Sequence, residues 1–223
     1  MSGFLLVFDL DGTLVNSVPD LTDSLNEILR ERGYAGTLSE AEVKPMVGDG
    51  VPTLVARAFA ARGGGAAEAA AAYPRYVALY EATATRRTRP YPGVAETLEA
   101  LRRRGYRCAV CTNKLQHATE IVLRDLGLAG LFDGVAGGDR YPVRKPDRGH
   151  LLGLVAELGS APARSLMIGD SENDAAVAHA AGVALILMRY GYARTDPEAL
   201  GATAVLDNFA DLPAALARLC LAP

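Results

Sequence analysis

The sequence predicts an α/β fold, a doubly wound parallel sheet of Rossmann-like type interrupted by one all-helical insertion. Three observations predict it. Short, continuously apolar runs recur along the chain, each suited to a strand buried on both faces. Helical patterns separate most of these runs. One long stretch, from about Val18 to Thr88, carries helical patterns and no convincing strand.

The first apolar run is Phe4–Phe8, ending in Asp9, Asp11 and Gly12. Similar runs follow at Arg107–Thr112, Gly134–Gly137, Ser165–Gly169 and Val183–Met188, with a weaker one at Ala204–Leu206. Between them, Val94–Arg104 places Leu98 and Leu101 on one helical face and an Arg run on the other. Thr119–Leu126, Leu151–Leu158 and Ala175–Ala181 read as helices stopped by Gly127, Gly159 and Gly182. In the insertion, helices are expected near Leu21–Arg32, Ser39–Met46, Thr53–Arg62 and Ala66–Thr85, with Gly63–Gly65 dividing the last two. Its alanine content favours helix, since alanine has the best intrinsic propensity. The connections fall near Asn16–Val18 and Arg89–Gly93, the second punctuated by Pro90, Pro92 and Gly93. The expected domains are therefore a core of 1–16 and 89–223 and a helical domain of 17–88.

A chain of 223 residues, 50% hydrophobic and 22% charged, can bury one sizeable core with a smaller inserted unit. A formal net charge of −3 makes it a poor partner for nucleic acid or an anionic membrane surface. No uninterrupted apolar run of about twenty residues predicts a membrane span. Asp9 and Asp11 interrupt the N-terminal run too early for a signal peptide. Cys108 and Cys111 form a CxxC, but residues three apart on a strand face opposite ways, and no second pair completes a zinc site. Buried free thiols fit, and a cytoplasmic location is expected.

Ligands in open α/β sheets bind beyond the carboxyl ends of the strands. Asp9 and Asp11, Thr112 and Asn113, Lys145, and Asp170 with Asp174 all fall at or shortly after such ends. Together they make a magnesium-phosphate constellation. A carboxylate at Asp9 can attack phosphorus, dividing one difficult displacement into two easier ones. Two anions repel, so a cation is required between them. Mg²⁺ suits that role, with Asp9 and Asp170 its natural side-chain ligands. Asp11 can protonate the leaving oxygen and then deprotonate the hydrolytic water. Thr112, Asn113 and the backbone N–H groups near them can hold phosphate oxygens. Lys145, with Pro146 fitting a helix start, can neutralise phosphate charge and orient Asp9; Arg144 is its competitor. Ser171 with Asp174 resembles a capping box, which leaves Asp170 unexplained; Asp174 fits a supporting role behind the metal ligands.

Each motif also has a bland reading: a turn of solvated aspartates for DxDG, helix caps for Thr112 and Asn113, and a surface lysine for Lys145. Their joint order is more specific than any one of them. His117, His150 and His179 are dispersed and read as structural or surface residues.

With FDLDGTLVNS, CTNK, GGDRYPVRKPD and IGDSENDAAVAHAAG in view, the chain resembles the haloacid dehalogenase superfamily, specifically its phosphoglycolate phosphatase-like branch. The resemblance covers nearly the whole chain. It implies a helical cap inserted after the first strand, nucleophile Asp9, acid/base Asp11, and phosphate contacts from Thr112, Asn113 and Lys145. It also implies metal binding by Asp9, the Asp11 carbonyl and Asp170, supported by Asp174. Asp11 argues for phosphate chemistry over dehalogenation. Asn16 departs from the Asp common in related sequences and bears on the hinge. MVGDGV (Met46–Val51), Gly137–Asp139 and Tyr190–Tyr192 look like phosphoglycolate phosphatase, so 2-phosphoglycolate is the expected substrate, its carboxylate met by the cap. Gly48 and Gly50 suggest a tight loop at the site; Lys44 and Arg57 are candidate cations. A small phosphorylated metabolite is the expected partner, for a monomer or homodimer. The alternatives are a broad-range small-metabolite phosphatase, a β-phosphoglucomutase-type mutase, a receiver domain phosphorylated on Asp, and a silent interaction protein.

Overall fold

The computed structural model describes residues 3–222. Its first strand, β1 (Leu5–Phe8), is wholly buried. A tight turn leads to β2 (Val15–Asn16) and then to helices α1 (Val18–Glu31), α2 (Glu40–Val43), α3 (Val51–Ala60) and α4 (Ala66–Glu81). The chain returns through β3 (Arg89–Pro90), which pairs antiparallel with β2. From there α5 (Val94–Arg103), β4 (Arg107–Cys111), α6 (Gln116–Asp125), β5 (Gly134–Ala136) and α7 (Arg148–Glu157) follow. The chain ends with β6 (Ser165–Gly169), α8 (Glu172–Ala181), β7 (Ala184–Met188), β8 (Ala204–Leu206) and α9 (Leu212–Arg218).

Six of these strands form one parallel sheet in the order β5-β4-β1-β6-β7-β8. All six expected strands are present, within a residue or so of the expected ends. The alternation of the pleat divides the core in two. Leu6, Phe8, Cys108, Val110, Leu166 and Ile168 pack into one apolar layer, and Leu5, Val7, Ala109, Cys111 and Met167 into the other. Cys108 and Cys111 therefore face opposite ways, both fully buried and free. Burial pushes each thiol up to about 12.

Strand order reverses around β1, so Asp9 emerges where the connections part to either side, the place such sheets leave open for a ligand. Asp9 N–H still donates to Ile168 O (2.9 Å) and Thr112 N–H to Ala136 O (3.0 Å). These bonds carry the backbone ladder one residue past the strands and fix both residues to the sheet.

The helices of the insertion pack on one another, α3 on α4 and α4 on α1. Two of them are shorter than the sequence predicts. The pattern over Ser39–Met46 resolves into α2, opened by a Ser39–Glu42 capping box, and a 3-10 turn through Pro45. The helix expected to reach Thr85 ends at Glu81. Buried Asp20 near the start of α1 accepts from Arg87 N–H and from the N–H and hydroxyl of Thr88, tying the two connections together. The β2–β3 ribbon lies across the same two crossings. It goes unpredicted because two residues per strand carry no periodic signal.

Candidate active site

Asp9, Asp170 and Asp174 are buried, and each offers an oxygen within 4.8 Å of the others. One buried ammonium stands among them. Lys145 Nζ lies 2.9 Å from Asp9 Oδ1 and 2.6 Å from Asp174 Oδ1. Burial works against a charged lysine there, but Asp174 and Asp9 outweigh it and its pKa is raised. Arg144, the sequence competitor, is exposed. Pro146 does not start a helix: the Lys145–Pro146 peptide is cis, and α7 begins at Arg148 with Asp147 as its cap. The Asp147 carboxylate takes Gly149 N–H and caps α7.

The three carboxyls differ in how far they are satisfied. Asp174 Oδ2 accepts from Asp170 N–H (3.1 Å), Ser171 N–H (3.1 Å) and Ser171 Oγ (2.7 Å), while Oδ1 accepts from Lys145. Its acceptor capacity is nearly used, so it holds neighbours in place. Asp170 accepts from Thr13 Oγ1 and Tyr192 N–H, both at 2.7 Å. Burial, then Asp174 and Asp9, raise its pKa well above the usual carboxylate range. Burial likewise pushes Asp9 up to about 6; Lys145 opposes this and Asp174 adds to it. Three buried carboxyls against one ammonium leave a deficit of positive charge, and oxygen donors alone suit a hard divalent cation. Gly12 and Gly191 make room for the Asp170 side chain itself, since a Cβ at either would run into it. The residues present fit a metal ion held from Asp9 and Asp170.

Asp11 stands apart from this cluster. Its carboxylate takes both oxygens' bonds from Lys114 Nζ, at 3.0 Å each. Lys114 is buried, and sequence reasoning quoted it within CTNK without giving it a role.

Thr112 and Asn113 do not cap the following helix. The N-cap position of α6 is Leu115, and Gln116 N–H is taken by Asp139 Oδ1 at 2.7 Å. Thr112 Oγ1 accepts from Lys114 N–H, and Asn113 Nδ2 donates to Lys145 O and Gly48 O, both at 2.9 Å. Gly137 and Gly138 explain the GGD motif, because a Cβ at either would strike the backbone of Gln116 or Asn113. That motif shapes the Thr112–Gln116 loop from behind.

Gly48 and Gly50 both have positive φ, 112° and 90°, and both line the pocket above Asp9 and Asp11. Asp49 between them accepts from Asn173 Nδ2 (2.6 Å), Arg194 (2.7 Å) and Arg57 (2.6 Å). Burial opposes its ionisation, yet these donors hold the carboxyl down at about 2. Lys44 and Arg57 are not brought to the pocket. Arg57 is engaged by Asp49 and Met46 O, and exposed Lys44 reaches Tyr190 O at 3.5 Å. In the Tyr190–Tyr192 segment, Tyr190 Oη donates to Thr13 O and Tyr192 Oη to Asn16 Oδ1. Asn16, at the first of the two connections, is thereby tied to Tyr192. His150 is buried and donates to Gly137 O; burial and Lys145 push its pKa down to about 4, so it is a neutral structural residue.

No helix among the described residues is long and apolar enough to cross a membrane. The sequence model of the haloacid dehalogenase-like hydrolases matches residues 5–182. The chain is 47% identical over 213 residues to a phosphoglycolate phosphatase of Rhodospirillum rubrum, covering 93% of this chain and 88% of that one. It is 40% identical over 228 residues to a phosphoglycolate phosphatase of Caulobacter vibrioides, covering 100% and 96%. Among solved structures, a predicted phosphoglycolate phosphatase from Haemophilus somnus superposes with a TM-score of 0.90 at 33% identity, covering 96% of this chain and 98% of that one. Fold, acidic cluster and sequence agree: the chain belongs to the haloacid dehalogenase-like hydrolase family.

Proposed function

We propose that this protein is a magnesium-dependent phosphatase of small phosphate monoesters, with 2-phosphoglycolate its substrate and glycolate and inorganic phosphate its products. The observation that carries the reading is the buried group of Asp9, Asp170 and Asp174 around Lys145, at the open end of β1. The names of the relatives support the choice of ester.

Mg²⁺ held by Asp9, Asp170 and the Asp11 carbonyl would neutralise the charge of phosphate and nucleophile and keep Asp9 ionised. Asp9 then attacks phosphorus, and the bond from phosphorus to the ester oxygen breaks. Asp11 gives that oxygen its proton, releasing glycolate. In the second half Asp11 takes a proton from water, whose oxygen attacks phosphorus. The bond to Asp9 breaks and phosphate leaves. Thr112, Asn113 and Lys145 receive the phosphate oxygens, and Asp174 keeps Lys145 and the backbone after β6 in place.

Residues 17–88 serve in this reading as a cap on the core of 1–16 and 89–223. The Gly48–Gly50 loop roofs the pocket and excludes bulk water during the first step. The relatives are bacterial and the reaction is metabolic, so a cytoplasmic location fits; the protein works as a monomer or homodimer on a small metabolite.

The test is phosphate release from a panel of small esters, phosphoglycolate included, with Mg²⁺ and with EDTA, on wild type and Asp9→Asn. Release that needs Mg²⁺, is lost in Asp9→Asn and is fastest with phosphoglycolate is the expected result. Release unaffected by EDTA or by Asp9→Asn would overturn the mechanism, and a better ester would replace the substrate.

A further inference from the structure

A pocket lies between the helical insertion and the sheet, directly over Asp9 and Asp11. Its wall from the insertion is largely apolar, built by Leu21, Val47, Val51 and Leu54. Apart from the phosphate-side residues and the carboxylate of Glu81, its polar lining is Lys114, Tyr76 and Tyr80. Lys114 is the one cation on that lining among the described residues. An ammonium has three hydrogens. The carboxylate of Asp11 is the only oxygen or nitrogen partner Lys114 Nζ finds among the described residues, so at least one hydrogen remains free. The ring of Tyr80 lies 4.5 Å away.

Tyr76 and Tyr80 stand one helical turn apart on α4 with rings stacked, centroids 6.2 Å apart. They are 1% and 4% exposed, and neither hydroxyl has a hydrogen-bond partner. A buried hydroxyl without a partner costs stability, roughly 1–3 kcal/mol being typical of an unmade bond. Two of them side by side, on the wall of a pocket and next to an ammonium with a free hydrogen, point to a ligand. Burial keeps both phenols protonated, so each is a donor. Two phenol donors without an acceptor and an ammonium shared only with Asp11, the residue that protonates the leaving oxygen, match an anionic group near that oxygen.

We infer that Lys114, Tyr76 and Tyr80 form the subsite for the substrate's second anionic group, the carboxylate two bonds from the leaving oxygen. This inference rests on the phosphoglycolate reading. Lys114 supplies the charge; the two phenols fix the carboxylate's plane and reject an apolar group, which would leave both hydroxyls unpaired. Lys44 and Arg57 have no part in it.

The experiment compares kcat/KM for 2-phosphoglycolate with kcat/KM for ethyl phosphate, which puts a methyl where the carboxylate stands. The variants are Tyr76→Phe, Tyr80→Phe, the double variant and Lys114→Met. Lys114→Met also strips Asp11 of its partner, which slows both esters alike, so the ratio is the readout. Wild type should prefer phosphoglycolate, and Lys114→Met should lower that preference roughly hundredfold, the scale of losing one partner of a buried charge pair. Each Tyr→Phe change, which keeps ring and packing, should lower it about tenfold, as for a lost hydrogen bond to a charged group. A wild-type preference that survives in the phenylalanine variants and in Lys114→Met would overturn the subsite while leaving the substrate standing. No preference in wild type would overturn the substrate, and the subsite with it.

Discussion

Lys145 Nζ lies between Asp9 Oδ1 and Asp174 Oδ1, 2.9 and 2.6 Å away, with all three side chains buried. One ammonium thus compensates two carboxylates, one just past β1 and one in the first turn of α8. Removing it strands both. Lys145→Met should destabilise the metal-free protein by roughly 3–5 kcal/mol, the usual cost of breaking a buried pair from one side. Urea unfolding in EDTA measures this, and an unchanged midpoint would refute it. Lys145→Arg should not rescue phosphate release, because a planar guanidinium cannot replace a compact ammonium in this space.

How much of this was legible beforehand depended on where the information sat. The strand ends were legible because a parallel strand buried on both faces must be continuously apolar, and a carboxylate at its end breaks the run visibly. Asp9 and Asp170 stood out for that reason, and Lys145 through the RKPD motif. Lys114 did not, because its role depends on the side chain turning back across the loop to Asp11, 103 positions away in sequence. Tyr76 and Tyr80 lie in an alanine-rich helix, where aromatic residues read as core. For Lys44 and Arg57 a positive charge near a glycine loop was readable, but the partner each would take was not.

The raised pKa of Asp9 contributes to the pH dependence of the metal-free protein. Its ordinary value of 3.8 becomes about 6 on folding, so between these values the folded chain holds a proton the unfolded chain has lost. The contribution is full below 3.8 and is lost as pH rises through about 6. A bound cation needs the ionised carboxylates and reverses this trend. Differential scanning in EDTA and in Mg²⁺ should therefore show a Tm increment from Mg²⁺ that is larger near about pH 7.5 than near about pH 5. An equal increment at both values would exclude Asp9 and Asp170 as the ligands.

Asp49 ties the Gly48–Gly50 loop to Arg194 and Asn173 of the sheet-bearing part and to Arg57 of α3. The loop also rests on Asn113 and Asn173 through Gly48 O. Asp49→Ala removes the carboxylate while keeping the Gly48 bonds. It should loosen the loop without unfolding it, raising KM for the phosphate ester about fivefold, on the scale of one partly exposed ion pair. Amide exchange over Val47–Val51 should quicken in parallel. Unaltered exchange and KM would show that Gly48 alone seats the loop.

Asp20 is the residue on which the two crossings between the insertion and the sheet converge. It is 1% exposed, and one oxygen, Oδ2, takes Thr88 N–H and Thr88 Oγ1, both at 2.7 Å. Both oxygens lie 3.0 Å from Arg87 N. Asp20→Ala leaves the buried Thr88 N–H without an acceptor, at roughly 1–3 kcal/mol, and frees the partly buried Arg87 N–H as well. Asp20→Asn keeps one acceptor oxygen but places an NH₂ opposite donors, so it restores only part of the loss. The expected order of stability in urea is wild type, then Asn, then Ala. Because β2, β3 and this carboxylate hold the same two crossings, Asp20→Asn should also change turnover, through the angle at which the helices of 17–88 meet the sheet. If both variants matched wild type in unfolding midpoint and in kcat, the short β2–β3 ribbon would suffice to hold the crossings.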